Sequence, residues 1–269
     1  MTATFTSSGV VQQSITMVGK YEPFELQVSR TQITGHVPVV ICGTNAALST
    51  NQATVWGQGG LYVYPATAQV MEISSSSASD ASAGTGARTV VVQGLDASYN
   101  PIQETVTMNG QTAVNTVNSY LRVFHLYVAT AGTGLAAAGT IYVGTGTVTT
   151  GVPAVVYLTY TVANGATSAI WTVPAGYTGY LVSIQSSSGN ATAGQWTKFG
   201  LYTTPSTGAP MDSNLQWIVS NGGEAVITLP YPIAFPAQTD IEIRAVSTAA
   251  STSVAASFQI VYIKNDGTL

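Results

Sequence analysis

Short runs of apolar and β-branched residues, separated by turn residues, recur along most of the chain. The densest group lies between Gly84 and Val128, with runs at 90–93, 104–108, 111–116 and 120–128. Asn109-Gly110 separates the second run from the third. Because both positions of this pair tolerate the positive φ of a type I′ turn, it is a strong hairpin signal. The pattern predicts an antiparallel sheet with a hairpin at Asn109-Gly110.

The same pattern continues to the C-terminus. Further strands are predicted at 155–162, 168–173, 177–184, 197–203, 215–219, 224–229, 240–246 and 253–263. No long stretch has a 3.6-residue apolar period, so we expect almost no helix, and the strand spacing is typical of a β-sandwich or jelly roll. With a boundary at Gly151-Val-Pro153, we predict an all-β chain: an extended N-terminal arm (1–50) followed by two β-sandwich or jelly-roll-like domains (51–152 and 153–269).

Residues 21–30 alternate as well, with Phe24, Leu26 and Val28 on one face. Pro23 disfavours a central strand position there, since proline cannot donate to a strand ladder. Two interpretations stay open: an arm that reaches onto a neighbouring subunit, or a strand packed on its own domain. In the first interpretation, the assembly contacts come from Tyr21, Phe24, Leu26 and Arg30.

Charged side chains make up only 7% of the 269 residues, against about 25% in an average protein. Lys and other charges normally protect exposed strand edges from association. So few charges therefore predict edges covered by neighbouring protein. The net charge is −4 without any basic cluster, which argues against nucleic-acid binding because phosphate recognition needs clustered Lys and Arg.

Cys42 is the only cysteine, so no disulfide can form within the chain. The N-terminal residues lack the basic and apolar regions of a signal peptide. No run reaches the roughly 18 apolar residues that a membrane helix needs. These features predict a chain made and kept in a cytosol, without a membrane partner.

Candidate chemistry is sparse. His125 lies in a predicted strand with apolar neighbours, which favours a structural role, and nothing brings it to His36. Asp240, Glu242 and Arg244 alternate with apolar residues, a pattern that predicts one buried and one solvated strand face and only weakly resembles a pair of glycosidase carboxylates. No nucleophile elbow or phosphate loop occurs. We therefore expect no enzymatic activity and no cofactor.

Two polar or aromatic features are candidates for surface roles. The low-complexity stretch Ser74–Gly86 predicts a long loop that projects from the surface. Asp80, Ser82 and Gly84 alternate in it as calcium ligands sometimes do, but the rest of a binding loop is missing. The sugar-stacking candidates are Trp56, Trp171, Trp196 and Trp217, of which Trp171 and Trp217 are more typical of a sandwich core.

Several motifs together resemble one known family. In the central region these are Gly86-Ala-Arg-Thr, Gly94-Leu-Asp, Glu104–Gly110 and Leu121-Arg-Val; towards the ends they are Pro23–Arg30, Thr34-Gly-His36, Thr172–Gly176 and Phe235–Ala245. This set resembles a family of virion structural proteins of tailed bacteriophages, cyanophages and other aquatic phages especially. The resemblance covers most of the chain and implies no catalytic residues.

The resemblance implies a place in a virus particle that is assembled in the host cytoplasm. One hypothesis is a capsid-associated decoration or cement subunit, or a head fibre, that contacts the major capsid protein or other virion proteins. Such subunits are commonly homotrimers, which is an expectation by analogy. The alternative is a tail-fibre or tail-associated adhesion protein that binds a host glycan.

Overall fold

The computed structural model describes residues 2–5, 11–14, 22–189, 193–205 and 211–265. It is nearly all β, as predicted, with 59% strand and 3% helix. The helix is α1 (Phe24–Ser29), and the strands are β1 (Thr2–Phe5), β2 (Val11–Ser14), β3 (His36–Leu48), β4 (Ala53–Thr54), β5 (Gln69–Ser75), β6 (Ala87–Leu95), β7 (Pro101–Thr107), β8 (Val114–Tyr120), β9 (Arg122–Ala131), β10 (Ile141–Thr145), β11 (Val155–Thr161), β12 (Gly165–Ala166), β13 (Ile170–Thr172), β14 (Tyr177–Ser188), β15 (Trp196–Thr204), β16 (Asp212–Ser220), β17 (Glu224–Phe235), β18 (Asp240–Ser247) and β19 (Thr252–Lys264).

Eight strands form a jelly roll of two antiparallel sheets. One sheet has the order β17-β14-β19-β3 and the other has the order β13-β18-β15-β16. The first strand, β3, pairs with the last, β19, in the first sheet. The next pairs inward along the chain are β13–β18 in the second sheet, β14–β17 in the first and β15–β16 in the second, which is the arrangement of two Greek keys. The core between the sheets includes Leu181, Ile184, Phe199, Ile243 and Phe258.

A second sandwich is inserted between the first two strands of this jelly roll. It consists of a five-stranded sheet, β12-β11-β10-β5-β8, and a three-stranded sheet, β7-β6-β9. Its separate core includes Met71, Ile73, Val92, Leu126 and Leu158. The chain thus enters the jelly roll at β3, builds the inserted sandwich, and returns at β13.

Strand pairing divides the chain differently from the predicted limits at 50 and 152. β3 lies within the predicted arm, yet it pairs with β19 over eleven Cα partners. Residues 36–48 are thus a strand of the jelly roll. β11 and β12 follow residue 152 but complete a sheet of the inserted sandwich. The partners in the β3–β19 pair lie about two hundred residues apart in the chain, so local patterns carry no information about this pairing.

Residues 24–29 form a helix and not the predicted alternating strand. The backbone N–H groups of Leu26 and Gln27 donate to the carbonyl of Pro23, and the N–H of Arg30 donates to the carbonyl of Leu26, at 2.9–3.1 Å. The Gln27 side chain also caps the carbonyl of Glu22 at 2.7 Å. Local hydrogen bonds therefore satisfy this segment without a strand partner, and the two-residue apolar alternation was misleading.

The predicted hairpin at Asn109-Gly110 is wrong. β7 pairs with β6 and β8 pairs with β5, so this turn passes from one sheet of the inserted sandwich to the other. Gly110 has a positive φ of 63°, but the φ of Asn109 is not positive. A type I′ turn requires positive φ at both positions, so this turn does not have the hairpin geometry.

The stretch Ser74–Gly86 is folded inward around Asp80, contrary to the predicted projecting loop. Asp80 is fully buried. Its carboxylate accepts hydrogen bonds from the backbone N–H groups of Ala87, Ala138 and Gly139 and from the hydroxyl of Ser75, at 2.6–3.0 Å. Because its donors come from both ends of the 76–86 loop and from the 138–139 loop, Asp80 connects these two loops of the inserted sandwich.

A buried ion pair joins the inserted sandwich to the jelly roll. Arg122 of β9 donates from Nε and Nη2 to the two carboxylate oxygens of Asp240 on β18, at 2.8 and 2.7 Å. Arg122 Nη1 donates to the carbonyls of Pro65 and Leu121, and Thr172 donates to Asp240 at 2.5 Å. In this planar, bidentate geometry, the attraction between the charges and the additional hydrogen bonds offset the cost of removing both charges from water.

The predicted solvated face of β18 is therefore wrong. Glu242 is fully buried and Asp240 is 7% exposed, because the inserted sandwich covers this face. Glu242 pairs with Arg244 and accepts a hydrogen bond from Thr54 of β4 at 3.2 Å. Burial raises the pKa of Glu242, while Arg244 and Thr54 oppose that shift. The alternate residues Ile241, Ile243 and Ala245 lie in the core, as predicted.

We predict that Arg122→Ala lowers the free energy of unfolding by about 3–5 kcal/mol, because it leaves Asp240 buried without its cation. Urea unfolding followed by tryptophan fluorescence measures the change. The matched control is Arg30→Ala, which removes a surface pair with Glu22 whose side chains are 52% and 26% exposed and should cost less than about 1 kcal/mol. Equal effects of the two substitutions would contradict the prediction.

Candidate assembly surface

The outer face of the sheet β17-β14-β19-β3 is a continuous surface with few charges. Because the strands are in register, the outward side chains align in four rows across the sheet. The rows are Pro38, Val261, Tyr180 and Ala234; Val40, Gln259, Ser183 and Thr228; Cys42, Ser257, Gln185 and Val226; and Thr44, Ala255, Ser187 and Glu224. We call these sixteen residues the outer face, and none of them is buried.

Glu224, at one corner, is the only charged residue of the outer face, where average composition would place about four. Val40 and Val226 are 61% and 63% exposed. Strand spacing gives the four rows dimensions of about 20 by 14 Å. Depletion of charge around exposed apolar residues is typical of the centre of a protein interface.

α1 lies at the Pro38 end of the outer face and forms a groove of about 520 Å³ with it. Val28 is 2% exposed and anchors the helix. The other apolar side chains that line the groove are Phe24, Pro38, Val39, Val40, Val182, Ile260 and Val261. The groove therefore extends the apolar part of the outer face beyond the sheet.

The predicted contact residues divide into three groups. Phe24 is 52% exposed, lines the groove and packs edge-on against His36 with ring centroids 6.0 Å apart. Leu26 is 46% exposed on the helix, and Arg30 pairs with Glu22. Tyr21 lies outside the described residues. The structure thus brings only Phe24 into the groove.

Sequence reasoning missed most of the outer face. Its outward positions on β3 are Pro38, Val40, Cys42 and Thr44. None of them is charged, so their pattern does not indicate a strand face exposed to solvent. The available signal was the scarcity of charge in 36–48, but only the pairing of β3 with β19 shows which side of the strand faces outward.

The tryptophans proposed as sugar-stacking residues have different environments. Trp56 is 5% exposed and its Nε1 donates to the carbonyl of Gly60 at 3.1 Å, so it belongs to the core. Trp217 stacks on Phe199 and donates to Ser186 at 2.7 Å. Trp196 is 38% exposed. Trp171 packs against the jelly-roll core, as predicted, and also lines a cleft.

Within the described ranges, no three His, Cys, Asp or Glu residues are close enough to hold a metal ion together. The described part of the chain also contains no helix that is long and apolar enough to span a membrane. His36 accompanies Phe24 at the groove, and His125 is exposed on β9.

Neither a protein-family model nor a curated protein matches the chain. Two solved structures of infectious bursal disease virus are similar to it, each at 10% identity. For the crystal structure of the VP2 subviral particle, the match covers 87% of this chain and 73% of that chain with a TM-score of 0.23. For the structure of the Gt strain, it covers 86% and 77% with a TM-score of 0.18. A likeness at this level carries no argument about function.

Cys42 lies on β3, the edge strand of the outer face, and its side chain is exposed. Partial burial raises the pKa of this thiol, and the thiolate is the reactive form. We therefore predict that iodoacetamide modifies Cys42 more slowly in the folded chain than in urea at neutral pH, and that the rate rises at a higher pH. Mass spectrometry across a pH series measures this, and identical pH profiles in both states would contradict it.

Proposed function

We propose that the chain is a structural subunit of a tailed-phage virion that attaches to the particle through its outer face. The carrying observation is this exposed sheet surface, with one charge among sixteen positions and a groove lined mainly by apolar side chains at one end. The jelly-roll topology adds an analogy, since this fold recurs in viral capsid domains, although it also occurs in lectins and cupins. The family resemblance of the sequence motifs supports the same proposal.

The proposed role is a capsid-associated decoration or cement subunit, or a head fibre, that works by burying surface. Its proposed partner at the outer face is the major capsid protein or another virion protein. A homotrimer remains an expectation by analogy. In this role the subunit stabilises or ornaments the shell through contact alone, with no chemical step.

Location in the particle separates this role from the alternative of a tail adhesion protein. Cryo-EM of purified particles tests it directly, and density for the two sandwiches on the icosahedral shell is expected. Density confined to the tail would replace the proposal with the adhesion role. Absence of the chain from purified particles would overturn both.

Charge placed on the outer face is predicted to block incorporation. Val40→Lys and Val226→Lys each introduce a cation that the interface would have to desolvate, at a cost of several kcal/mol. Because about 1.4 kcal/mol corresponds to a tenfold change in affinity, we expect the occupancy of each variant to fall at least about tenfold. Quantitative mass spectrometry of purified particles measures the occupancy. The side chains are already 61% and 63% exposed, so the free chains should keep their stability.

The matched control is Val117→Lys, since Val117 is 92% exposed on β8 of the inserted sandwich. This variant should be incorporated normally. Alkylation of Cys42 gives an independent readout, because the particle should protect a thiol that is accessible in the free chain. Full occupancy of both outer-face variants, or an unprotected Cys42, would refute the role of this surface.

Deletion of residues 1–30 is predicted to leave a folded β protein that no longer joins the particle. β3 begins at His36, and the two described cores contain no residue before Ile41, so the fold should persist. The deletion removes Phe24 and Val28, which form one side of the groove. Circular dichroism checks the fold and particle composition checks incorporation, with the full-length chain as the control; normal occupancy would contradict the prediction.

A further inference from the structure

A cleft of about 320 Å³ lies at the junction of the inserted sandwich and the jelly roll. The β6–β7 hairpin and β9 form one side. Trp171 of β13, Pro174 and Tyr262 of β19 form the other side. The backbone of β6 approaches β9 closely here, since a Cβ on Gly94 would lie 2.0 Å from the carbonyl oxygen of Arg122. Ligand sites of this size, at the lower end of about 300–1,000 Å³, suit one small unit.

Three aromatic rings follow one another along the cleft. The ring centroids of Phe124 and Trp171 are 4.3 Å apart, with planes inclined at 33°, and those of Trp171 and Tyr262 are 6.4 Å apart, with planes inclined at 24°. Phe124 is 9% exposed, whereas Trp171 and Tyr262 are half-buried. The series presents flat apolar surface held in place by packing from both sandwiches.

Polar groups with unused hydrogen-bonding capacity accompany these rings. Gln93 Nε2 donates to Gln103 Oε1 at 3.0 Å, which leaves the Gln93 carbonyl oxygen as an acceptor and the Gln103 amide nitrogen as a donor. The indole N–H of Trp171 is buried, and no described group accepts a hydrogen bond from it. A few polar groups beside an aromatic surface are the usual means of orienting a bound ligand.

The cleft carries no charge. None of its eleven lining residues is Asp, Glu, Lys or Arg. Partial burial lowers the pKa of His125, which disfavours a charged imidazole beside the cleft. A charged ligand would lose hydration in this cleft without gaining a counter-ion, so the lining favours a neutral ligand with both apolar and hydroxyl surface.

We propose that this cleft binds one neutral pyranose unit of a saccharide, with the sugar ring against the aromatic series and its hydroxyls hydrogen-bonded to the Gln93–Gln103 pair. A pyranose has an apolar ring face and a rim of hydroxyls that both donate and accept, which matches the two kinds of surface in the cleft. This site is separate from the outer face, so it stands whether or not that face attaches the chain to a particle.

The test uses the full chain and four probes: glucose, galactose, mannose and N-acetylglucosamine. Saturation-transfer NMR should detect at least one of them, with a dissociation constant on the order of 1 mM, which corresponds to about −4 kcal/mol. Glucuronic acid, the charged comparison, should bind at least about tenfold more weakly. Gln93→Ala and Gln103→Ala should each abolish the saturable signal.

The matched control is Gln185→Ala, which removes an exposed glutamine from the outer face and should leave sugar binding unchanged. Gln93 and Gln103 are not core residues, and thermal unfolding verifies that the variants fold. Two results would overturn the proposal: no saturable binding of any neutral sugar, or sugar binding that survives both cleft substitutions.

Discussion

The pairing of β3 with β19 is the contact on which the rest of the structure depends. It joins residues about two hundred positions apart and places the first jelly-roll strand at the edge of the sheet β17-β14-β19-β3. Without it, Ile41 would lose its place in the jelly-roll core, and the outer face would lose one of its four columns. The pairing also brings together the two ends of a jelly roll that is interrupted by a whole sandwich. A closure over such a length is entropically costly, and the long ladder of backbone hydrogen bonds together with the apolar inner face of β3 offsets it.

The junction between the sandwiches contains charged side chains, although such residues are rare in this chain. Of its 18 charged side chains, Arg122 and Asp240 pair across the junction, and Glu242 pairs with Arg244 on the same strand, β18. Such pairs need geometric complementarity on both partners, because an unpaired buried charge is costly. The junction therefore has a defined registry, and β4 adds backbone pairing with β18 to it. This registry positions Phe124 of the inserted sandwich against Trp171 of the jelly roll.

Both candidate surfaces follow from this arrangement, and they differ in chemistry. The outer face is broad, shallow and composed of aliphatic and small polar side chains, which suits contact with another protein surface. The junction cleft is small, aromatic and lined with amides, which suits a compact neutral ligand. A subunit of a virus particle can carry both, since one surface faces its neighbour while another remains open to solvent.

The all-β class and most strand positions in the C-terminal half are predictable from the amino-acid sequence, as is the scarcity of charge that led to contact as the proposed role. Period-two alternation and turn residues are local, so they are readable without partners. Tertiary structure alone decided which strands pair, and hence that β3 belongs with β19 and that Asn109-Gly110 connects two sheets. It also decided that the polar face of β18 is buried, because the cover comes from Arg122 and Thr54, far away in the chain. The outer face and the cleft were hidden because each is assembled from residues far apart in the chain: the outer face requires the pairing of β3 with β19, and the cleft requires the inserted sandwich to pack against the jelly roll.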